Sequence, residues 1–141
     1  AYDIETMMKG IQPCLRRLAE IREKTRLRTV TPKETALINA YEQTIEMYDR
    51  GFRFGKIDVN RSLSTKFTFD AEKKEIIPCI ACIDGIGAAL GDSIVAAREK
   101  QPFTSIEDLK RRGKVGDKAI EVFRHLGALG DLPDSEQLTL F

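Results

Sequence analysis

The stretch from Ile83 to Val95 constrains the fold more than any other, reading Ile-Asp-Gly-Ile-Gly-Ala-Ala-Leu-Gly-Asp-Ser-Ile-Val. Gly85 and Gly87 flank a single apolar residue, Ile86, and apolar positions recur behind them at Leu90, Ile94 and Val95. Two glycines so placed permit a tight turn and a close approach of backbone to a ligand. The apolar spacing that follows predicts a helix beginning just after them. Ile86 is expected to plug the turn into a core. The amides that open such a helix lack intrahelical acceptors and point outward, so a phosphate oxygen is a natural partner for them. A plain helix cap followed by a turn accounts for a glycine pair alone. It does not account for the small residue Gly91 and the apolar pair Ile94-Val95 arriving in step.

That full pattern is the signature of a helix-hairpin-helix element, with Gly85, Ile86, Gly87 and Ala88 as the backbone that meets DNA. Arg98, one turn past Ile94, is placed to reach the DNA backbone. A second unit follows at Arg111-Arg112-Gly113-Lys114-Val115-Gly116-Asp117-Lys118, with wider glycine spacing and more cations. Arg111, Arg112, Lys114 and Lys118 are its candidate phosphate contacts. Paired units of this kind grip opposite strands through sugar and phosphate and ignore sequence. Asp84, Asp92 and Asp117 lie beside the proposed phosphate sites and are read as caps or solvated charges.

Helix signals organise the rest. Asp3 can cap a short helix ended by Gly10, and Pro13 opens a second carrying Ile11, Leu15, Leu18 and Ile21 at helical spacing. Thr31-Pro32-Lys33-Glu34 combines a threonine N-cap, a first-turn proline and a reciprocating glutamate. A long helix is expected to follow, with Leu37, Tyr41, Thr44, Ile45 and Tyr48 on one face and Gly51 at its end. Phe67 to Phe69 and Glu75 to Ile77 are β-type runs joined by a charged turn. Pro78, Ser105 and Asp117 each mark a helix start, and Pro133 closes the folded part. The expected fold is mainly α with one small β-hairpin. A tandem helix-hairpin-helix domain spans residues 55–134, preceded by a helical segment over 1–54 and followed by a flexible tail over 135–141.

The net charge of +1 over 141 residues conceals local asymmetry. Arg16 to Arg28 holds six Lys or Arg against Glu20 and Glu23, and Lys110 to Lys118 holds five against Asp117. The last fifteen residues carry Asp131, Asp134 and Glu136 and no cation, so they cannot be a phosphate-binding arm. No run approaches the about 18 apolar residues of a membrane span, and the first residues are too charged for a signal peptide. A soluble, cytoplasmic protein with no membrane partner is expected. Cys14, Cys79 and Cys82 cannot all pair and are read as free thiols. Cys79-x-x-Cys82 suggests zinc, but a structural site needs four ligands and only Cys14 and His125 remain. Glu107-Asp108 is better explained as helix-start charge than as a metal site. No cofactor and no catalytic residue is expected in this chain.

Gln137-Leu138-Thr139-Leu140-Phe141 resembles the pentapeptide by which bacterial replication proteins dock on the β sliding clamp, with Gln137, Leu138, Leu140 and Phe141 as the docking residues. Two apolar anchors fill a pocket and the glutamine amide sets orientation. The whole chain is similar to the C-terminal end of the PolC-type DNA polymerase III alpha subunit, a C-family replicative polymerase. The similarity runs through Tyr2 to Met7, Glu46 to Phe52, Ile57 to Ser62, Ile77-Pro78, Ile94 to Arg98, Phe103 to Leu109 and Leu132-Pro133. The resemblance implies that residues 1–54 end the fingers region, and that the rest binds duplex DNA and the clamp beside the remaining polymerase chain. It also implies that polymerisation, with its palm carboxylates and Mg ions, lies outside this chain. Cys79 departs from the expected proline, and Gly91 at the small position is expected to loosen its helix by about 1 kcal/mol relative to alanine. A protein-protein adaptor and a repair accessory with a clamp tail are the rival readings.

Overall fold

The computed structural model describes residues 2–135. Helix α1 (Ile4–Met7) is capped by Asp3, whose carboxylate accepts from the Thr6 amide, and α2 (Ile11–Arg26) follows the cap Gly10 and starts two residues ahead of the expected Pro13. The capping box forms as its residues dictate. The Thr31 hydroxyl accepts from the Glu34 amide and the Glu34 carboxylate accepts from the Thr31 amide, opening α3 (Pro32–Asp49). Helices α2 and α3 pack on each other through Leu18, Ile21, Leu37 and Tyr41. Tyr41 donates its hydroxyl to the Asp3 carboxylate, which ties α1 to the pair.

Most of the first basic window is engaged by this packing. Arg17 and Lys24 both reach Glu34, at 3.1 and 2.8 Å, Arg22 pairs with Glu42 and Arg26 with Glu23. Lys24, the Thr31 amide and Arg17 together hold the Glu34 carboxyl down to about 2 against its burial.

The expected hairpin forms from β2 (Thr68–Asp70) and β3 (Glu75–Ile77), paired antiparallel with Phe69 opposite Ile76. A third strand joins it. β1 (Arg53–Phe54) lies parallel to β3, giving the order β1-β3-β2. The residues just before position 55 are thus hydrogen-bonded to a strand 22 residues later, Arg53 aligning with Glu75.

After the sheet, Pro78 does not open a helix as expected. It is buried ahead of a single 3-10 turn, Ile80–Cys82, which Cys79 caps. The expectation of three free thiols is overturned here, because Cys79 and Cys82 form a disulfide. A 3-10 turn superimposes side chains three residues apart, and the two Cα atoms stand 5.3 Å from each other. Cys14 alone is free. Its thiol is buried against the carbonyls of Thr6 and Met7, and burial pushes it up to about 11.

Helices α4 (Ala88–Lys100), α5 (Ile106–Arg112) and α6 (Asp117–His125) complete the chain. Ser105 caps α5 as its sequence predicts, accepting from the Asp108 amide at 2.9 Å. Asp117 is not a cap but the first residue of α6, the cap being Gly116. Buried residues from Ile4 to Leu129 make one continuous hydrophobic cluster. No helix among the described residues is long and apolar enough to cross a membrane.

Candidate nucleic-acid interface

The first hairpin turns at Gly85, whose φ of +86° is a left-handed conformation that a side chain resists. Ile86 is buried as its position requires. Gly87 then sits in an extended conformation, φ −90° and ψ 169°, and caps α4 with no side-chain hydrogen bond. The first intrahelical bond runs from the Gly91 amide to the Gly87 carbonyl at 3.1 Å. The amides of Ala88, Ala89 and Leu90 lie ahead of it, in the part of a helix that has no internal acceptor.

The second hairpin repeats this backbone residue for residue. Lys114 takes the left-handed position with φ +58°, Val115 is the buried plug, and Gly116 caps α6 at φ −78° and ψ 167°. No side chain caps that end either, and the first bond, from Ile120 to Gly116, is again 3.1 Å. The glycines are indeed more widely spaced, but the distance from turn to cap is the same in both hairpins. Gly113 belongs to the end of α5, and Lys114, not a glycine, is the counterpart of Gly85. Val115 and Gly116 were missed as site residues because glycine count, rather than the position of the helix cap, set the alignment.

Space around the capping glycines is informative. A Cβ built on Gly87 or Gly116 would meet no atom of the protein within 4 Å. Neither position needs glycine for packing. Gly91 is the opposite case, since a Cβ there would come within 2.5 Å of the Ser64 hydroxyl oxygen and 3.4 Å of its Cα. The small position is thus a point of close approach between α4 and the Ser62–Ser64 segment, which offsets the loosening expected of a helical glycine.

The predicted cations divide into two groups. Arg98 does not point outward. Its guanidinium donates to the carbonyls of Val59 at 3.1 Å and Arg61 at 3.3 Å, and burial draws its pKa down. Arg112 is similarly engaged: it donates to the carbonyls of Ala97 and Gln101, pairs with Asp108 at 2.9 Å and lies over the Phe103 ring. Sequence shows the charges of these arginines but not the carbonyls that claim them. Arg111 is exposed and pairs with Asp108 at 3.1 Å. Lys114 and Lys118 are exposed without an ion-pair partner among the described residues. Asp117 is matched by Lys110, so the acidic residue at the second helix start is neutralised locally. Asp84 and Asp92 near the first hairpin have no such match.

Two side chains join the hairpins. Ser93 of α4 donates to the Gly113 carbonyl at 2.8 Å, and Arg112 holds the last carbonyls of α4. Among the described residues no group of three His, Cys, Asp or Glu side chains converges to hold a metal ion. The predicted docking residues Gln137, Leu138, Leu140 and Phe141 lie outside the described residues.

Two buried plugs, two open capping glycines and two uncapped helix starts define a tandem helix-hairpin-helix unit. Residues 51–138 match the helix-hairpin-helix motif family, to which this chain belongs. Over its whole length the chain is also similar to proteins named DNA polymerase III PolC-type. It is 37% identical to that of Streptococcus pneumoniae over 141 residues and 41% identical to that of Bacillus cereus over 140. The Streptococcus agalactiae protein is 37% identical over 141 residues. The chain spans about a tenth of the length of these relatives, which cover 99 to 100% of it.

Proposed function

We propose that this chain is the part of a bacterial replicative DNA polymerase that holds duplex DNA by its phosphate backbone, with nucleotidyl transfer carried by regions beyond this tenth. The observation that carries the reading is the repeated pair of uncapped helix starts behind Gly87 and Gly116, each with open space where a side chain would stand. Helix N-termini favour anions through their unpaired amides and their dipole. Two of them joined by Ser93 and Arg112 can take phosphates together without reading bases. Lys114 and Lys118 add a sequence-independent attraction at the second start.

The test separates ligand approach from folding. Gly87→Val with Gly116→Val should leave the fold intact at a cost of about 1 kcal/mol per site, since the backbone angles suit valine and a Cβ meets no neighbour, while each helix start loses a favoured cap. The same change should weaken binding to labelled duplex by roughly tenfold or more, as the amides are screened from phosphate. Unchanged affinity in a fluorescence titration would refute the reading.

The same proposal extends to the tail. Gln137 to Phe141 docks on the β sliding clamp, so that two weak attachments act together. Linked sites raise avidity by roughly 10²- to 10⁴-fold without a new contact. Deleting the five residues should abolish capture of the chain by immobilised clamp while leaving duplex affinity intact.

A further inference from the structure

The small sheet carries a surface that neither hairpin uses. β2 is an edge strand, and Phe69 at its centre leaves 54% of its surface in solvent. Its ring leans on Phe52, 4.9 Å between centroids at 34°. Phe67, two residues earlier, leans in the same way on Tyr2, which is 51% exposed. One exposed aromatic residue needs no explanation, but two exposed rings, Tyr2 and Phe69, each leaning on a half-buried one, form a patch, and patches mark contact sites.

The charges beside the rings show what kind of contact. Lys66, Lys73 and Lys74 are all exposed, and no carboxylate lies within ion-pair distance of any of them among the described residues. The contrast with α2 is direct, since most of its cations are matched by glutamates. Of the nearby acids, Asp70 is turned into the hairpin bend, accepting from the amides of Glu72 and Lys73 at 3.1 Å each. Glu75 folds over Gly55. Glu72 and Asp49 stay exposed.

Exposed π-faces with unmatched cations suit a ligand that offers flat rings and negative charge together. Duplex DNA offers the charge but hides its ring faces in the stack. We propose that this sheet binds unpaired nucleotides of single-stranded nucleic acid, bases stacking on Phe69 and its neighbours while Lys66, Lys73 and Lys74 hold the phosphates. Stacking on an aromatic ring tolerates every base, and the cations follow a flexible backbone. The surface shares no residue with the hairpins, so it stands or falls separately from them.

The experiment is a pair of anisotropy titrations of the intact chain, one with labelled oligothymidine and one with blunt duplex. Phe69→Ala should weaken oligothymidine binding roughly tenfold, the loss of one stacked base, and Phe69→Tyr should restore it. Lys73→Glu with Lys74→Glu should also weaken it and flatten its salt dependence. Duplex affinity should stay unchanged in all three variants. Oligothymidine binding that ignores Phe69→Ala overturns the proposal, as does an equal loss on blunt duplex or the absence of oligothymidine binding by the unaltered chain. A chain that binds oligothymidine but not duplex would instead refute the hairpin reading and leave this one standing.

Discussion

The two hairpins share a backbone and differ in nearly everything that holds it. The first is entered from one 3-10 turn closed by the Cys79–Cys82 disulfide, turns on a glycine, and has the unmatched Asp84 and Asp92 nearby. The second is entered from a two-turn helix, capped by Ser105 and stitched by Asp108 to Arg111 and Arg112, and turns on a lysine. One geometry is thus reached by a covalent clip in one place and by a buried carboxylate in the other. The first hairpin offers amides almost alone, and the second offers amides with cations. The comparison teaches that the signature glycine at the turn is one solution to a backbone requirement. A left-handed lysine is another, with strain on the order of 1 kcal/mol accepted in exchange for a charge at the site.

The largest effect should come from the carboxylate. Asp108 is buried, and although burial alone would raise its pKa, Arg112, the Thr104 amide and Arg111 outweigh it and leave the group below its usual value. Asp108→Ala leaves Arg112 without its carboxylate partner and should cost about 3 kcal/mol in urea denaturation. Acid should act in the same direction. A depressed carboxyl contributes stability that is complete above its unfolded pKa and fades as pH falls through the folded one. The second hairpin should therefore loosen as pH drops below about 4, seen as faster amide exchange in α5. Glu34 adds a parallel loss in the α2–α3 pair between 4.5 and about 2. An acid response confined to the first hairpin would show that Asp108 does not hold the second.

Charge reversal at Lys114 and Lys118 ranks next. It should reduce duplex affinity roughly tenfold to a hundredfold and lower the salt slope by about 2, whereas no equivalent pair exists on the first hairpin. Reduction of the disulfide should follow, costing at most about 2 kcal/mol for so short a loop. Its signature is faster exchange at Ile80 to Ile86 with α5 and α6 unchanged. Exchange that rises equally in both hairpins would show that the clip is not local. Smallest is Lys114→Gly, which makes the second turn resemble the first. It should stabilise the chain by less than about 1 kcal/mol while lowering the salt slope by about one phosphate contact.

What could be read from the sequence was local chemistry. The Thr31 box, the Ser105 cap and the plug at Ile86 each depend on residues within a few positions of one another, and each stands where its spacing put it. The antiparallel strands were legible for the same reason. β1 was not, because two residues carry no periodicity and its partner lies far along the chain. The disulfide escaped because pairing Cys79 with Cys82 depends on the turn between them being 3-10, which Pro78 disguised as the start of a longer helix. Arg98 and Arg112 look the same in sequence as Lys114 and Lys118. Only the nearby carbonyls at the end of α4 and along Val59 to Arg61 separate engaged cations from available ones.

The clasp between the hairpins has a consequence for shape. Because Ser93 grips the Gly113 carbonyl and Arg112 closes the end of α4, the distance between the two helix starts is set before any ligand arrives. A pair of jaws with a preset gap is a caliper. On the proposed reading, the phosphates of one duplex would have to meet both helix starts at that single separation.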